Sequence, residues 1–144
     1  MLTADHRLSQ LLASHRLRTT PVRLAILQVL VDSPFALSAH ETELLLPPPT
    51  DRITLYRTLK LFEAKGLIHQ VLDPTNVIRY AACSIECSAH GHFDNHVHFK
   101  CTSCQRIYCL RQVPIPSVSL PYLFEAHTRE YLLVGTCRTC QPAT

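Results

Sequence analysis

Two Cys-x-x-Cys pairs are the residues of this sequence whose spacing most directly predicts chemistry. Cys101 and Cys104 form one pair and Cys137 and Cys140 the other, with 32 residues between the pairs. Such a turn directs two thiolates towards one centre, and two turns complete the closed tetrahedral site of a structural zinc ion. Two disulfides, a redox thiol pair or iron in the same sulfur site are the alternatives. We expect structural Zn²⁺, because no secretory signal precedes these cysteines.

A second group of metal donors is larger than one four-coordinate ion needs. His96 and His98 alternate along a predicted strand and therefore face one side of it, and Cys109 lies on the next predicted strand. The other members occupy a polar loop: Cys83, Cys87, His90 and His92. Mixed sulfur and imidazole donors favour zinc over iron(II) or manganese(II). We expect a regulatory zinc site drawn from this group; the alternative is a solvated, histidine-rich loop with one buried cysteine.

The segment from Thr50 to Gly66 predicts an amphipathic helix. Thr50 or Asp51 can cap its start, and Gly66 stands where a helix C-cap belongs. Apolar side chains at the i, i+4, i+7 spacing give it a buried stripe. These are Leu55, Leu59 and Phe62.

The opposite face of this helix combines cations, hydroxyls and one apolar side chain, Ile53. Cations hold phosphates or guanine, hydroxyls bond base edges, and an apolar tip suits a thymine methyl. We therefore predict a DNA recognition helix; an ordinary solvated surface helix is the alternative. Its candidate DNA-binding residues are Arg52, Thr54, Tyr56, Arg57 and Lys60.

Local signals predict further helices before this segment and a hairpin after it. Thr20 followed by Pro21 is typical of a helix start, and Ser38 with Glu41 forms a capping box. The first of these two helices is expected to turn Val22, Ile26 and Val29 inward. The turn tetrapeptide 73–76 separates strand-like residues 67–72 and 77–80. Helices followed by a hairpin predict a winged helix-turn-helix.

Cysteine usage divides the chain. All seven cysteines and five of the nine histidines follow residue 82, whereas the formal net charge of +3 is spread over both halves. We predict a winged-helix DNA-binding domain at 1–82, a His/Cys-rich hinge loop at 83–95 and a metal-binding domain at 96–144. No apolar run resembles a signal peptide or a membrane span, so we expect a cytoplasmic protein. No nucleophile motif, phosphate-binding loop or carboxylate pair predicts an enzyme or a site for a small organic substrate.

These motifs together resemble the ferric uptake regulator family over nearly the full length. The resemblance rests on residues 18–20, the block 54–59, the Gly66-Leu67-Ile68 step, the His96–His98 strand and both Cys-x-x-Cys pairs. It implies an α+β fold: an N-terminal winged helix-turn-helix followed by a small α/β dimerisation domain with the four-cysteine zinc site. It also implies a homodimer that senses a divalent metal and binds double-stranded operator DNA.

The resemblance also assigns residues. Tyr56 and Arg57 match the family's base- and phosphate-contacting pair, and Arg18 matches the basic residue that enters the minor groove. His96 and His98 match the sensing histidines, with Cys109 in the place of a carboxylate ligand. That cysteine makes the chain most similar to zinc uptake regulators. Iron sensors usually offer a histidine where Phe35, Ala36 and Leu37 stand, and a carboxylate where Ala81, Ala82 and Cys83 stand.

We therefore expect a zinc-responsive transcriptional repressor of metal uptake genes. An iron, nickel or peroxide sensor is the alternative within the family. A zinc-storing or redox-active thiol protein is the alternative from another class.

Overall fold

The helices and strands fall into two units, Met1–Asp94 and Asn95–Thr144. The computed structural model describes residues 3–71, 73–82, 97–127 and 129–142. Five members of the second donor group lie outside the described residues: Cys83, Cys87, His90, His92 and His96. Among the described ranges, no helix is both long enough and apolar enough to span a bilayer.

Four α-helices build the first unit, and side-chain caps define where they begin. They are α1 (Ala4–Ser14), α2 (Pro21–Asp32), α3 (Ala39–Leu45) and α4 (Arg52–Ala64). The Thr20 hydroxyl accepts a hydrogen bond from the N–H of Arg23, and the Ser38 hydroxyl accepts one from the N–H of Glu41. Both helix starts predicted from the sequence are therefore confirmed.

The buried stripe of α2 differs from the predicted one. Ile26, Leu27 and Leu30 are its buried residues, whereas Val22 is 41% exposed. The stripe is rotated towards Leu27 because the helix packs against both α1 and the sheet. The prediction that Val22 faces inward is wrong, since a run of apolar residues leaves the direction of the buried face undetermined.

Helix α4 has the face and the ends that the sequence predicts. Leu55, Leu59 and Phe62 are buried in the apolar core of the first unit. At the other end of the helix, Gly66 has a left-handed φ of 81°, and the N–H of Leu67 donates to the carbonyl of Phe62. This reversal directs the chain out of the helix and into the hairpin.

The hairpin strands β2 (Ile68–Val71) and β3 (Arg79–Ala82) pair antiparallel. A two-residue strand, β1 (Leu37–Ser38), pairs with the far side of β3 and gives the sheet order β1-β3-β2. The sequence offers no period-2 signal for so short a strand. The predicted winged helix-turn-helix is nevertheless present.

The second unit has a three-stranded sheet and one 3-10 turn in its described part. Its strands are β4 (Val97–Cys101), β5 (Ile107–Leu110) and β6 (Leu132–Gly135), in the order β5-β4-β6. β4 pairs antiparallel with β5 and parallel with β6. The 3-10 turn covers Arg138–Cys140. The predicted α+β class is confirmed, and the described α-helices all belong to the first unit.

Phe62→Ala tests the core of the first unit. The ring is fully buried, so its loss should lower the free energy of unfolding by roughly 3–5 kcal/mol. Urea denaturation followed by circular dichroism measures the change. Ile53→Ala is the control on the same helix, because Ile53 is 61% exposed. Equal destabilisation by both substitutions would contradict the assigned inward face.

Candidate metal centre and nucleic-acid interface

Four cysteine sulfurs converge at one end of the second sheet. The Sγ atoms of Cys101, Cys104, Cys137 and Cys140 all lie within 4.8 Å of one another. Cys104 Sγ and Cys137 Sγ are 3.8 Å apart, and no disulfide joins any of the four. Cys101 and Cys137 are buried and the other two half-buried, so the cluster is closed on one side and solvated on the other.

Parallel pairing of β4 and β6 produces this convergence. Cys101 is the last residue of β4 and pairs with Gly135, the last residue of β6. Each strand therefore delivers its Cys-x-x-Cys turn to the same end of the sheet. The N–H of Thr102 donates to the carbonyl of Gly135 at 2.8 Å and continues the pairing into the first turn.

The pKa values of the two buried thiols, Cys101 and Cys137, are lowered, which favours their thiolate forms. Backbone N–H groups of Cys104 and Cys137 lower the pKa of Cys101 to about 6; the N–H of Cys137 lies 3.3 Å from its sulfur. A hydrogen bond from the Tyr108 hydroxyl lowers the pKa of Cys137. The neighbouring Cys137 sulfur, together with burial, raises the pKa of Cys140 to about 12. A cation that replaces this last proton relieves the repulsion among the sulfurs.

The donor set fits zinc. Four thiolates in one closed cluster match the tetrahedral Cys₄ structural sites of Zn²⁺, and oxygen-preferring ions are poorly matched. When bound, the ion supplies cross-linking rather than catalysis, because the four cysteines leave no open coordination position. The predicted four-cysteine zinc site is confirmed, and the predicted alternative of two disulfides does not describe this cluster.

Tyr108 is a member of this centre that the sequence analysis missed. It lies on β5 opposite Phe99, and its hydrogen bond to Cys137, together with burial, raises its own pKa. A hydroxyl that donates to a metal-bound sulfur orients the ligand and offsets its charge. A strand tyrosine carries no local signal for this role; only the sheet register places it beside the cysteines.

His98 and Cys109 meet on the same sheet. They are direct cross-strand partners on β4 and β5, and their ligand atoms lie within 4.8 Å of each other. Both are half-buried. This pair is the described part of the predicted regulatory group, and the five remaining members lie outside the described residues.

The outward face of α4 carries the candidate DNA-binding side chains. Tyr56 is 49% exposed, and Arg57 and Lys60 are exposed beside it. Arg18, in the link between α1 and α2, is also exposed, and its carbonyl accepts a hydrogen bond from Arg23. These positions leave cations and a phenol available to a partner.

Two other candidates already have partners within the unit. Arg52 pairs with Glu43 at 3.3 Å. The Thr54 hydroxyl donates to Asp51 at 2.7 Å, and this bond lowers the pKa of the Asp51 carboxyl. Asp51 also accepts the N–H of Thr54 and so caps α4. The polar side chains at the start of α4 therefore bond to other residues of the unit, whereas Tyr56, Arg57 and Lys60 in its middle are exposed.

The Ferric uptake regulator family model matches residues 14–119. No curated protein matches the sequence. The ferric uptake regulator of Vibrio cholerae is 20% identical and has a TM-score of 0.61, with 90% of this chain and 98% of that chain covered. The Helicobacter pylori ferric uptake regulator, described with three functional metal-binding sites, is 19% identical and has a TM-score of 0.60, with 99% of this chain and 96% of that chain covered. A zinc uptake regulator complexed with zinc and DNA is 20% identical and has a TM-score of 0.61, with 97% of this chain and 96% of that chain covered. These similar structures share the fold.

Cys137→Ser tests the zinc centre. Loss of one thiolate should release the ion and unfold the second unit, because metal binding and folding share one free energy. Native mass spectrometry measures zinc content, and thermal melting measures stability. Thr139→Ser is the matched control, since Thr139 is exposed within the same Cys-x-x-Cys turn and supplies no sulfur. A Cys137→Ser protein that kept its zinc and its melting temperature would contradict the site.

Proposed function

We propose that this chain, which belongs to the ferric uptake regulator family, is a zinc-responsive repressor that binds operator DNA upstream of metal uptake genes. Membership in that family makes it a metal-responsive transcriptional regulator. The observation that carries the choice of zinc is the cross-strand pair of His98 and Cys109, which combines an imidazole with a thiol.

DNA recognition is assigned to the outward face of α4. Arg57 and Lys60 supply cations, Tyr56 supplies a phenol, and Ile53 offers an apolar contact, all of them exposed. A helix of 13 residues with this face fits the major groove. Arg18 adds a cation outside the helix, and Arg52 adds one at its start, where it pairs with Glu43.

Zinc sensing is assigned to His98 and Cys109, completed by members of the group that includes Cys83, Cys87, His90, His92 and His96. A thiolate ligand favours zinc over the iron(II) and manganese(II) ions, which are better matched by imidazole with carboxylate. The ion can alter DNA affinity only through its preference for the DNA-competent state. The regulatory ion is thus separate from the structural one, because the two donor sets share no residue.

A homodimer is the proposed assembly. β6 is an edge strand of its sheet, and Leu133 and Val134 on it are more than half exposed. An apolar edge strand with unpaired backbone groups is a template for pairing with another strand. Tyr122, Leu123 and Phe124 extend the exposed apolar surface of this unit. Burial of these side chains between two copies would remove them from water.

Arg57→Ala should weaken binding to the selected operator by roughly 1–3 kcal/mol, the value of a bidentate base contact. The selected operator is the DNA duplex that zinc-loaded protein recovers from a random library. Fluorescence anisotropy measures the affinity of each variant for it. Zinc content should not change, because Arg57 faces away from the core. Arg129→Ala is the control at another exposed arginine. Wild-type affinity in the Arg57 variant would remove α4 as the reading helix.

His98→Ala should abolish zinc-dependent DNA binding while the four-cysteine zinc stays bound. Anisotropy against buffered free zinc, iron(II) and manganese(II) measures the response, and native mass spectrometry counts the retained ion. Wild-type protein should respond at lower free zinc than free iron(II) or manganese(II). Activation by iron(II) at the lower concentration would favour the iron-sensor alternative. Zinc uptake without any DNA binding would favour the zinc-storing thiol protein.

A further inference from the structure

A lysine is buried next to the four-cysteine cluster. Lys100 lies on the central strand β4, immediately before Cys101, and is only 4% exposed. Its partners in the sheet, Ile107 on β5 and Val134 on β6, are both apolar. Lysine is almost never fully buried unless a specific interaction holds it, because its ammonium loses its hydration. An apolar residue would fill this position at lower cost, so the ammonium has a local role.

The ammonium is directed at the first Cys-x-x-Cys turn. Lys100 Nζ donates a hydrogen bond to the carbonyl oxygen of Gln105 at 2.9 Å, and Gln105 directly follows Cys104. The same turn joins β4 to β5, where the N–H of Cys101 donates to the carbonyl of Arg106 at 2.9 Å. The positive charge therefore lies against the loop that supplies two of the four sulfurs.

Gln105 holds this turn in a conformation that is costly for its residue type. Its φ of 64° is left-handed, which glycine adopts readily and other residues adopt at a cost. Its N–H donates to the carbonyl of Cys101 at 2.9 Å, and its side-chain amide donates to the carbonyl of Thr102 at 2.6 Å. The bond from Lys100 to its carbonyl has a charged donor, and such bonds are stronger than neutral ones. The ammonium thus helps to keep the turn closed.

The charge of a loaded site gives the ammonium a second role. Four thiolates around one Zn²⁺ leave two negative charges in excess, and two of the cysteines are buried. Charges interact strongly inside a protein, where water compensates them poorly. The Tyr108 hydroxyl serves Cys137 at the second turn, and Lys100 brings a full positive charge to the first. Lys100 is therefore placed to offset a charge that is complete only when the ion and all four thiolates are present.

We propose that Lys100 is a positioning residue for the structural zinc ion: its ammonium holds the first Cys-x-x-Cys turn in ligand geometry and offsets part of the charge of the loaded cluster. The inference concerns retention of the structural ion and does not depend on the proposed DNA-binding function. Replacing a residue that supports metal ligands in this way typically changes metal affinity about ten- to hundredfold.

The test compares zinc affinity in full-length variants that all carry His98→Ala, so that the proposed regulatory site adds no second ion. Equilibrium competition with the chelator TPEN measures the affinity, and native mass spectrometry counts the retained ion. Lys100→Met keeps the length of the side chain but removes its charge and its donor. It should weaken zinc binding by roughly ten- to hundredfold. Arg138→Met is the matched control, because it removes one positive charge at the second turn from an exposed position.

Two further substitutions separate charge from hydrogen bonding. Lys100→Arg keeps the charge and the donors and should stay close to the parent protein, whereas Lys100→Gln keeps a donor alone and should fall between. The loss in Lys100→Met should persist at high KCl concentration, because a buried charge is little screened. Cobalt(II) in place of zinc gives a sulfur-to-metal absorption band. Its wavelength should change in Lys100→Met and stay unchanged in Arg138→Met.

Parental zinc affinity in Lys100→Met would overturn the inference and leave the four-cysteine site intact. Equal losses in Lys100→Met and Lys100→Arg would show that only the shape of the side chain matters, and would overturn it as well. An equal loss in Arg138→Met would make the effect one of net charge, with the same consequence. If Lys100→Met fails to fold with zinc, Lys100→Gln decides: affinity equal to that of Lys100→Arg would overturn the role of the charge. The DNA-binding measurements test the proposed function separately.

Discussion

The second unit depends on one constraint, the parallel pairing of β4 with β6. Parallel strands end at the same edge, so two cysteine turns that are 32 residues apart in sequence become neighbours in space. Among the described residues of that unit, few large apolar side chains are buried, and these include Val97 and Ile107. A metal ion that cross-links the two strand ends replaces the missing apolar core, as in other small domains. The same sheet carries His98 and Cys109 as cross-strand partners on β4 and β5, and the turn that joins these two strands holds Cys101 and Cys104.

The first unit is stabilised by an apolar core. Its helices bury leucines, Ile26 and Phe62 in a continuous apolar core, and hydroxyl or carboxylate caps fix where each helix begins. Among its described ionic contacts, the pair of Arg52 with Glu43 lies at the exposed start of α4, whereas Arg79 with Asp73 is buried and joins the hairpin to Glu41 on α3. The four-cysteine cluster therefore lies in one unit, and the helix face proposed to contact DNA lies in the other.

The features that the sequence predicted are local ones. Caps at Thr20 and Ser38, the Gly66 reversal and the Cys-x-x-Cys turns each involve residues within a few positions of one another. Missed features depend on contacts between distant segments. β1 forms by pairing with the edge of β3. The ion pair of Glu41 with Arg79 joins residues that are 38 positions apart. The register of the second sheet places Tyr108 beside Cys137. The loop donors Cys83 to His92 stay predictions.

The carboxylate of Asp51 affects the direction from which a nucleic acid can approach α4. Helix N-termini usually attract phosphate through free N–H groups and a positive dipole end. In α4 a carboxylate already occupies that position, and Glu43 lies close by beside Arg52. A nucleic acid that approached α4 end-on would meet the Asp51 carboxylate, which already accepts the N–H of Thr54, and the ion pair of Arg52 with Glu43. For the proposed recognition helix, the favourable approach is therefore broadside, with its central turns rather than its N-terminus towards the bases.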